Sequence, residues 1–284
     1  MSFSMAPHPE ALAAGWEERS WERPQGPLRY VVAGSGPTLV LCHGFIGSAE
    51  NFESWVARLS RRRRLVIPDL PGFGGSAPLP GPHRSRDLGV EVRALLDHLG
   101  VADFEVGGLC LGSTVALEVA AGDPSRVRGL LLHTPLLAPQ LVTSSFRAQV
   151  AVFTAPGVFA AVKGIGRWRR LADLYRKVMV EGTGDVDRRS AEVNFANQLR
   201  ADPRAAREWL RDGVATDFRR LLAGLRPPAA VLAAADDRLL RVDRLSAFCA
   251  GLERVSLRLL PAAGHGWSPE FMLRQVEVLE EVLG

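Results

Sequence analysis

Gly108-Leu109-Cys110-Leu111-Gly112 lies between an apolar run, Phe104–Val106, and a stretch rich in small helix formers, Ser113–Ala121. Strand, sharp turn and helix, in that order, form the setting in which a nucleophile is held out on a strained backbone; the central residue here is a cysteine. Close neighbours of such a turn must lack a bulky Cβ, which accounts for both glycines. A helix starting at Leu111 aims free N–H groups and its positive dipole end at the sulfur. The thiol is therefore expected to react as a thiolate. In isolation the same five residues describe a buried cysteine in a glycine-rich strand end, because short motifs recur by chance.

Two further signals give the motif a context. His43-Gly44-Phe45 directly follows the apolar run Thr38–Cys42. A turn there points the Phe45 N–H at the reacting centre, and with the Leu111 N–H it forms an oxyanion hole. The His43 imidazole itself reads as structural, bonded to nearby loop backbone. Later in the chain, Asp236-Asp237 follows the run Ala229–Ala234, and His265 sits in Ala263-Gly264-His265-Gly266 after Ser256–Leu260. Cys110, then Asp237 127 residues on, then His265 another 28 on, is a nucleophile–acid–histidine order with each member behind a strand.

Seven runs read as strands: Leu28–Ala33, Thr38–Cys42, Leu65–Pro68, Phe104–Leu109, Val127–His133, Ala229–Ala234 and Ser256–Leu260. Several are continuously apolar, as strands covered on both faces are. Helical patterns alternate with them. Leu88, Val92, Leu95 and Leu99 share one face, as do Met272, Val276, Leu279 and Leu283, the last helix opening at Ser268-Pro269-Glu270. The fold class is α/β, with a mostly parallel sheet flanked by helices. Alternation stops after Pro135 and resumes at Pro227-Pro228. The interval is too long for a connection inside a compact domain. It divides the chain into a core, 1–135 and 226–284, and an inserted helical lid, 136–225.

At this point the chain resembles the α/β-hydrolase superfamily over nearly its whole length. Gly34-Ser35-Gly36-Pro37, His43-Gly44-Phe45, Asp69-Leu70-Pro71-Gly72-Phe73-Gly74-Gly75-Ser76, the cysteine turn, Asp236-Asp237 and Gly264-His265 look like its landmarks. The Asp69 loop is similar to that of the lidded branch, which holds esterases, C–C bond hydrolases, haloperoxidases and epoxide hydrolases. The resemblance implies an eight-stranded sheet and makes Asp237, rather than Asp236, the acid. Ala234 stands where the family's four-residue acid pattern begins with Gly, which leaves the choice between the two acids open. Most relatives place Ser at position 110, and haloalkane dehalogenases and epoxide hydrolases place Asp. Cys there looks like dienelactone hydrolases and polyhydroxyalkanoate synthases, which act on lactones and thioesters.

Composition excludes other classes. Of 284 residues 47% are hydrophobic and 23% charged, which is ordinary globular usage. The net charge of +4 comes almost wholly from arginine, and the run Arg61–Arg64 precedes a strand and reads as a solvated helix end. Nucleic-acid binding wants a continuous basic face instead. Three scattered cysteines suit neither a disulfide framework nor a zinc site, and a cytoplasmic location is expected. The longest uncharged stretch, Ala148–Val162, falls short of the ~18 apolar residues of a membrane span.

The expected activity is hydrolysis of a carboxylic ester, lactone or thioester through Cys110, His265 and Asp237, with no metal or cofactor, on a small-molecule acyl substrate. An acyltransferase or cyclase with the same triad, a C–C bond hydrolase, and a non-catalytic ligand-binding module are the alternatives. Phe153 and Phe159 in the insertion, and Trp267 beside His265, are the candidate pocket residues. The basic stretch Lys163, Arg167, Arg169, Arg170, Arg176 and Lys177 faces only Asp173. It reads as a solvated helix face, or as a greeting surface for an anionic substrate.

Overall fold

A computed structural model describes residues 7–166, 188–261, 265 and 276–277. Eight strands form one sheet: β1 (Glu17–Trp21), β2 (Leu28–Ala33), β3 (Thr38–Cys42), β4 (Arg64–Pro68), β5 (Phe104–Leu109), β6 (Val127–His133), β7 (Ala229–Ala234) and β8 (Val255–Leu260). Their spatial order is β1-β2-β4-β3-β5-β6-β7-β8. β2 pairs antiparallel with β1 and β4, and every other pairing is parallel. Helix α1 (Pro9–Ala13) precedes β1, and α2 (Glu53–Leu59), α3 (Ser85–His98) and α4 (Gly112–Gly122) follow β3, β4 and β5. Helices α5 (Ser144–Phe153), α6 (Val158–Gly166), α7 (Arg188–Arg200), α8 (Pro203–Ala215) and α9 (Arg219–Gly224) fall between β6 and β7, and α10 (Val242–Ala250) between β7 and β8.

Burial explains why the central strands were legible. β3 and β7 are buried at every residue, as parallel strands under helices on both faces must be. β1, with sequence Glu-Glu-Arg-Ser-Trp, was not expected. It is an antiparallel edge strand, exposed apart from half-buried Trp21. Its charges blunt an edge that is otherwise open to further pairing. The arginine run departs from expectation in two residues: Arg63 is buried, its Nε 3.0 Å from Glu105 Oε2, and half-buried Arg64 opens β4. The helix expected from Ser268 lies outside the described residues except Val276 and Glu277, which are helical.

Between β6 and β7 the described residues form helices joined by loops, with no strand. α8 packs into the main core, with Ala205, Ala206, Trp209 and Leu210 buried. The Trp209 ring meets Phe73 at 5.2 Å and His43 at 6.1 Å, edge-on in both cases. A Cβ on Gly213 of α8 would stand 2.3 Å from Leu111 Cδ1, so this helix rests directly on the residue after Cys110. No helix among the described residues is long and apolar enough to cross a membrane.

Close packing also dictates both glycines of the cysteine turn. A Cβ at Gly108 would lie 2.3 Å from the Gly112 carbonyl carbon, and one at Gly112 would lie 2.3 Å from the carbonyl oxygens of Cys42 and His43. Backbone cannot yield as a side-chain tip does. Gly112→Ala is therefore expected to destabilise by about 3 kcal/mol or more, read as a lowered urea midpoint or as loss of soluble protein. A midpoint equal to that of the unaltered protein would contradict this packing.

Candidate active site

β5 ends at Leu109 and α4 begins at Gly112, leaving Cys110 on the turn between them. Its φ of +51° is the left-handed region that non-glycine residues rarely occupy. The turn is pinned where it starts, since the Cys110 N–H donates to the His133 carbonyl at 2.8 Å. Ser113 Oγ donates to the Gly108 carbonyl at 2.7 Å.

Three distant segments converge on the sulfur. His265 Nε2 lies 3.2 Å from Cys110 Sγ, and its Nδ1 lies 3.0 and 2.9 Å from the two carboxylate oxygens of Asp237. Asp237 is held by its own loop, with Oδ1 accepting the N–H groups of Leu239 at 2.8 Å and Leu240 at 3.0 Å. Of the two adjacent acids, Asp237 is buried and faces His265, while Asp236 is exposed. Burial disfavours the charged imidazole of His265, but its contacts with Cys110 and the Asp237 carboxylate outweigh it and push the group up to about 10. Burial alone pushes the Cys42 thiol up to about 12 and the Cys249 thiol up to about 11.

The loop His43-Gly44-Phe45 runs beside the turn, since a Cβ at Gly44 would sit 3.5 Å from Cys110 Cβ. His43 is structural. Its Nε2 accepts the Leu70 N–H at 2.9 Å, so Nδ1 carries the proton and donates to the Gly44 carbonyl at 2.8 Å. Neither the Phe45 nor the Leu111 N–H has a backbone acceptor among the described residues. The Asp69 loop is also scaffold. Asp69 accepts the N–H groups of Ala49 and Gly75, each at 2.8 Å, and pairs with Arg29 at 2.8 Å.

The candidate pocket residues separate. Phe159 is half-buried with its ring 5.7 Å from that of Phe45. Phe153 is 40% exposed and stacks on Phe159 at 6.5 Å, one ring further out. Trp267, the side chain of Val162, and Arg167, Arg169, Arg170, Arg176 and Lys177 lie outside the described residues. Lys163 Nζ donates to the Ala201 carbonyl at 3.0 Å, so this member of the basic stretch is used within the fold. His133 carried no functional signal in the sequence. Yet it closes β6 beneath the turn, its ring 6.3 Å from Trp55 and its charge coupled to that of His265.

The buried histidines give a signed pH dependence. Burial pushes His43 down to about 4; burial and the neighbouring His265 charge push His133 down to about 3. Below about 6.5 the unfolded chain takes up protons that these two folded residues refuse. Their contribution is intact above that value and lost as pH falls through 6.5 toward 4 and 3. His265 acts in the opposite sense: its raised value stabilises fully below about 6.5, and that contribution fades as pH rises through about 10. The urea midpoint is expected to drop between pH 6.5 and 4, less steeply in His133→Leu. An identical drop in that variant would contradict the assignment.

A family model described as alpha/beta hydrolase fold matches residues 37–267. The chain is 29% identical over 236 residues to haloalkane dehalogenase 2 of Mycobacterium tuberculosis, covering 82% of this chain and 76% of that protein. It is 28% identical over 247 residues to a putative carbamate hydrolase, RutD, of Variovorax paradoxus, covering 85% of this chain and 90% of the relative. Among solved structures, the enol-lactonase from Burkholderia xenovorans superposes with a TM-score of 0.73 at 18% identity, over 94% of this chain and all of that one (100%). Strand order, the strained turn between β5 and α4, and the match over residues 37–267 agree: the chain belongs to the α/β-hydrolase family.

Proposed function

We propose that the protein hydrolyses a carboxylic ester, lactone or thioester through a covalent acyl-enzyme on Cys110. The observation that carries this reading is the 3.2 Å approach of His265 Nε2 to Cys110 Sγ, with Asp237 behind the imidazole. The reacting form of the pair is an imidazolium facing a thiolate, reached by transfer of the Cys110 proton to His265 Nε2 across 3.2 Å, and the raised His265 favours it. The thiolate attacks the acyl carbonyl carbon, and the oxyanion that forms is held by the Phe45 and Leu111 N–H groups. As the tetrahedral intermediate collapses, His265 gives its Nε2 proton to the leaving alcohol or thiol. His265, now neutral, takes a proton from water, which attacks the thioester, and Cys110 leaves as thiolate. Asp237 keeps Nδ1 protonated throughout.

Ester, lactone and thioester substrates follow from the leaving-group order. A thiolate is expelled more readily than an amide nitrogen, so unactivated amides revert rather than acylate. Dehalogenation, the activity in one relative's name, does not suit a thiolate. Displacing halide from carbon would leave a thioether that water does not cleave, and so no turnover.

We take 136–225 as the lid over this site, with Phe159 lining the acyl side. The test is initial rates on p-nitrophenyl esters, lactones and acyl thioesters with the unaltered protein and Cys110→Ala. Turnover of at least one class, lost in the variant, is expected. No turnover across the panel, or equal turnover in the variant, would overturn the reading. Adding alcohol, amine or thiol acceptors at millimolar concentration separates hydrolysis from acyl transfer by the product formed.

A further inference from the structure

The segment from Phe45 to Ser48 is a poor candidate for standing by itself. Ile46, β-branched, has a φ of +51°, a conformation that persists only where its surroundings enforce it. Its internal support is one turn bond, from the Gly47 N–H to the Gly44 carbonyl at 3.0 Å. From the core, Asp69 holds the far end through the Ala49 N–H at 2.8 Å.

Phe45 and Ile46 pack on the core, the Asn51 N–H donates to the Ser48 carbonyl at 3.1 Å, and the Asn51 side chain that closes this turn is itself held by α7. Asn51 Oδ1 accepts the Ser48 N–H at 2.9 Å and also Asn197 Nδ2 at 3.3 Å, while Asn51 Nδ2 donates to Asn194 Oδ1 at 3.2 Å. Asn194 and Asn197 are three residues apart on α7 and so share a face. Asn197 is 2% exposed. The same helix is fastened alongside by Arg189, whose Nη2 and Nε lie 2.6 and 3.0 Å from the Glu53 carboxylate. One amide oxygen thus joins the strained loop to a helix more than 140 residues away in sequence.

We propose that Asn51, gripped by Asn194 and Asn197, is a positioning residue that makes the oxyanion donor of Phe45 depend on docking of α7. The catalytic meaning of this rests on the acyl-enzyme reading above. Without its two partners the half-buried Asn51 amide loses both bonds on the α7 side, and turning toward water satisfies it there. Turning away releases the Ser48 N–H, Ile46 relaxes toward negative φ, and the Phe45 N–H leaves its aim. By linkage, an acyl oxyanion held at Phe45 strengthens the docking of α7 by the same free energy.

The test uses the full chain with Asn194→Ala/Asn197→Ala, and with Asn194→Ala alone as the milder variant. Hydrogen exchange at residues 45–48 is expected to speed up about ten-fold in the double variant, with α4 unchanged. Acylation by p-nitrophenyl acetate should slow about ten-fold, part of the loss that follows complete removal of an oxyanion donor. Alkylation of Cys110 by iodoacetamide, a displacement that forms no oxyanion, should stay unchanged. Unchanged exchange at 45–48 in both variants, or acylation and alkylation falling together, would overturn the proposal. If the unaltered protein is not acylated at all, the acyl-enzyme reading fails. The exchange measurement still decides whether α7 holds the loop.

Discussion

Asp237→Asn is expected to lower kcat/KM on the best ester or thioester about a thousand- to ten-thousand-fold. Asp236→Asn, at an exposed position, should stay within about three-fold. The size of the first effect follows from what Asp237 does with each oxygen. Oδ1 already accepts the Leu239 and Leu240 N–H groups, so an asparagine must keep its carbonyl there. Its NH2 then takes the place of Oδ2, the oxygen 2.9 Å from His265 Nδ1, and favours Nδ1 as an acceptor over the 3.0 Å contact that the carbonyl keeps. That tautomer places the proton on Nε2 of a neutral ring, and neither the thiolate–imidazolium pair nor its charge survives. kcat/KM measured across pH 5 to 9 for both variants distinguishes the two acids. A larger loss in Asp236→Asn would refute the assignment.

Cys110→Ser is expected to cost at least about a hundred-fold in acylation, although the hydroxyl is preserved and the fold untouched. The reason is electrostatic rather than steric. The Cys110 negative charge is a leading cause of the raised His265 value, and a serine, which does not ionise near neutrality, withdraws it. His265 then titrates lower and has to act as a true general base, removing a proton during attack. Burst-phase rates on an activated ester measure this step separately from deacylation. Acylation in Cys110→Ser equal to that of the unaltered protein would show a site built for an alkoxide.

How far the amino-acid sequence could be read followed from how local each determinant was. The central strands and the Gly108–Gly112 turn were legible because continuous apolar runs and paired glycines are local marks of burial and close approach. β1 was not, because an exposed edge strand carrying Glu17, Glu18 and Arg19 has no apolar alternation to detect. Arg63 looked solvated inside a run of four arginines; its partner Glu105 lies 42 residues away. Ala234 blurred the choice between Asp236 and Asp237, which depends on how the turn after β7 aims its side chains. Gly213 against Leu111, and Asn51 with Asn194 and Asn197, were invisible for the same reason. They are contacts between segments that the chain brings together only on folding, and neither residue type nor spacing announces them.

The central claim is a covalent acyl group on Cys110, and intact-protein mass spectrometry tests it most directly. The protein would be quenched in acid within the first turnovers of its best ester, lactone or thioester, beside Cys110→Ala treated in the same way. The account predicts a mass increment equal to the acyl group on the unaltered protein and none on the variant. Turnover without any increment, or the same increment on Cys110→Ala, would contradict it.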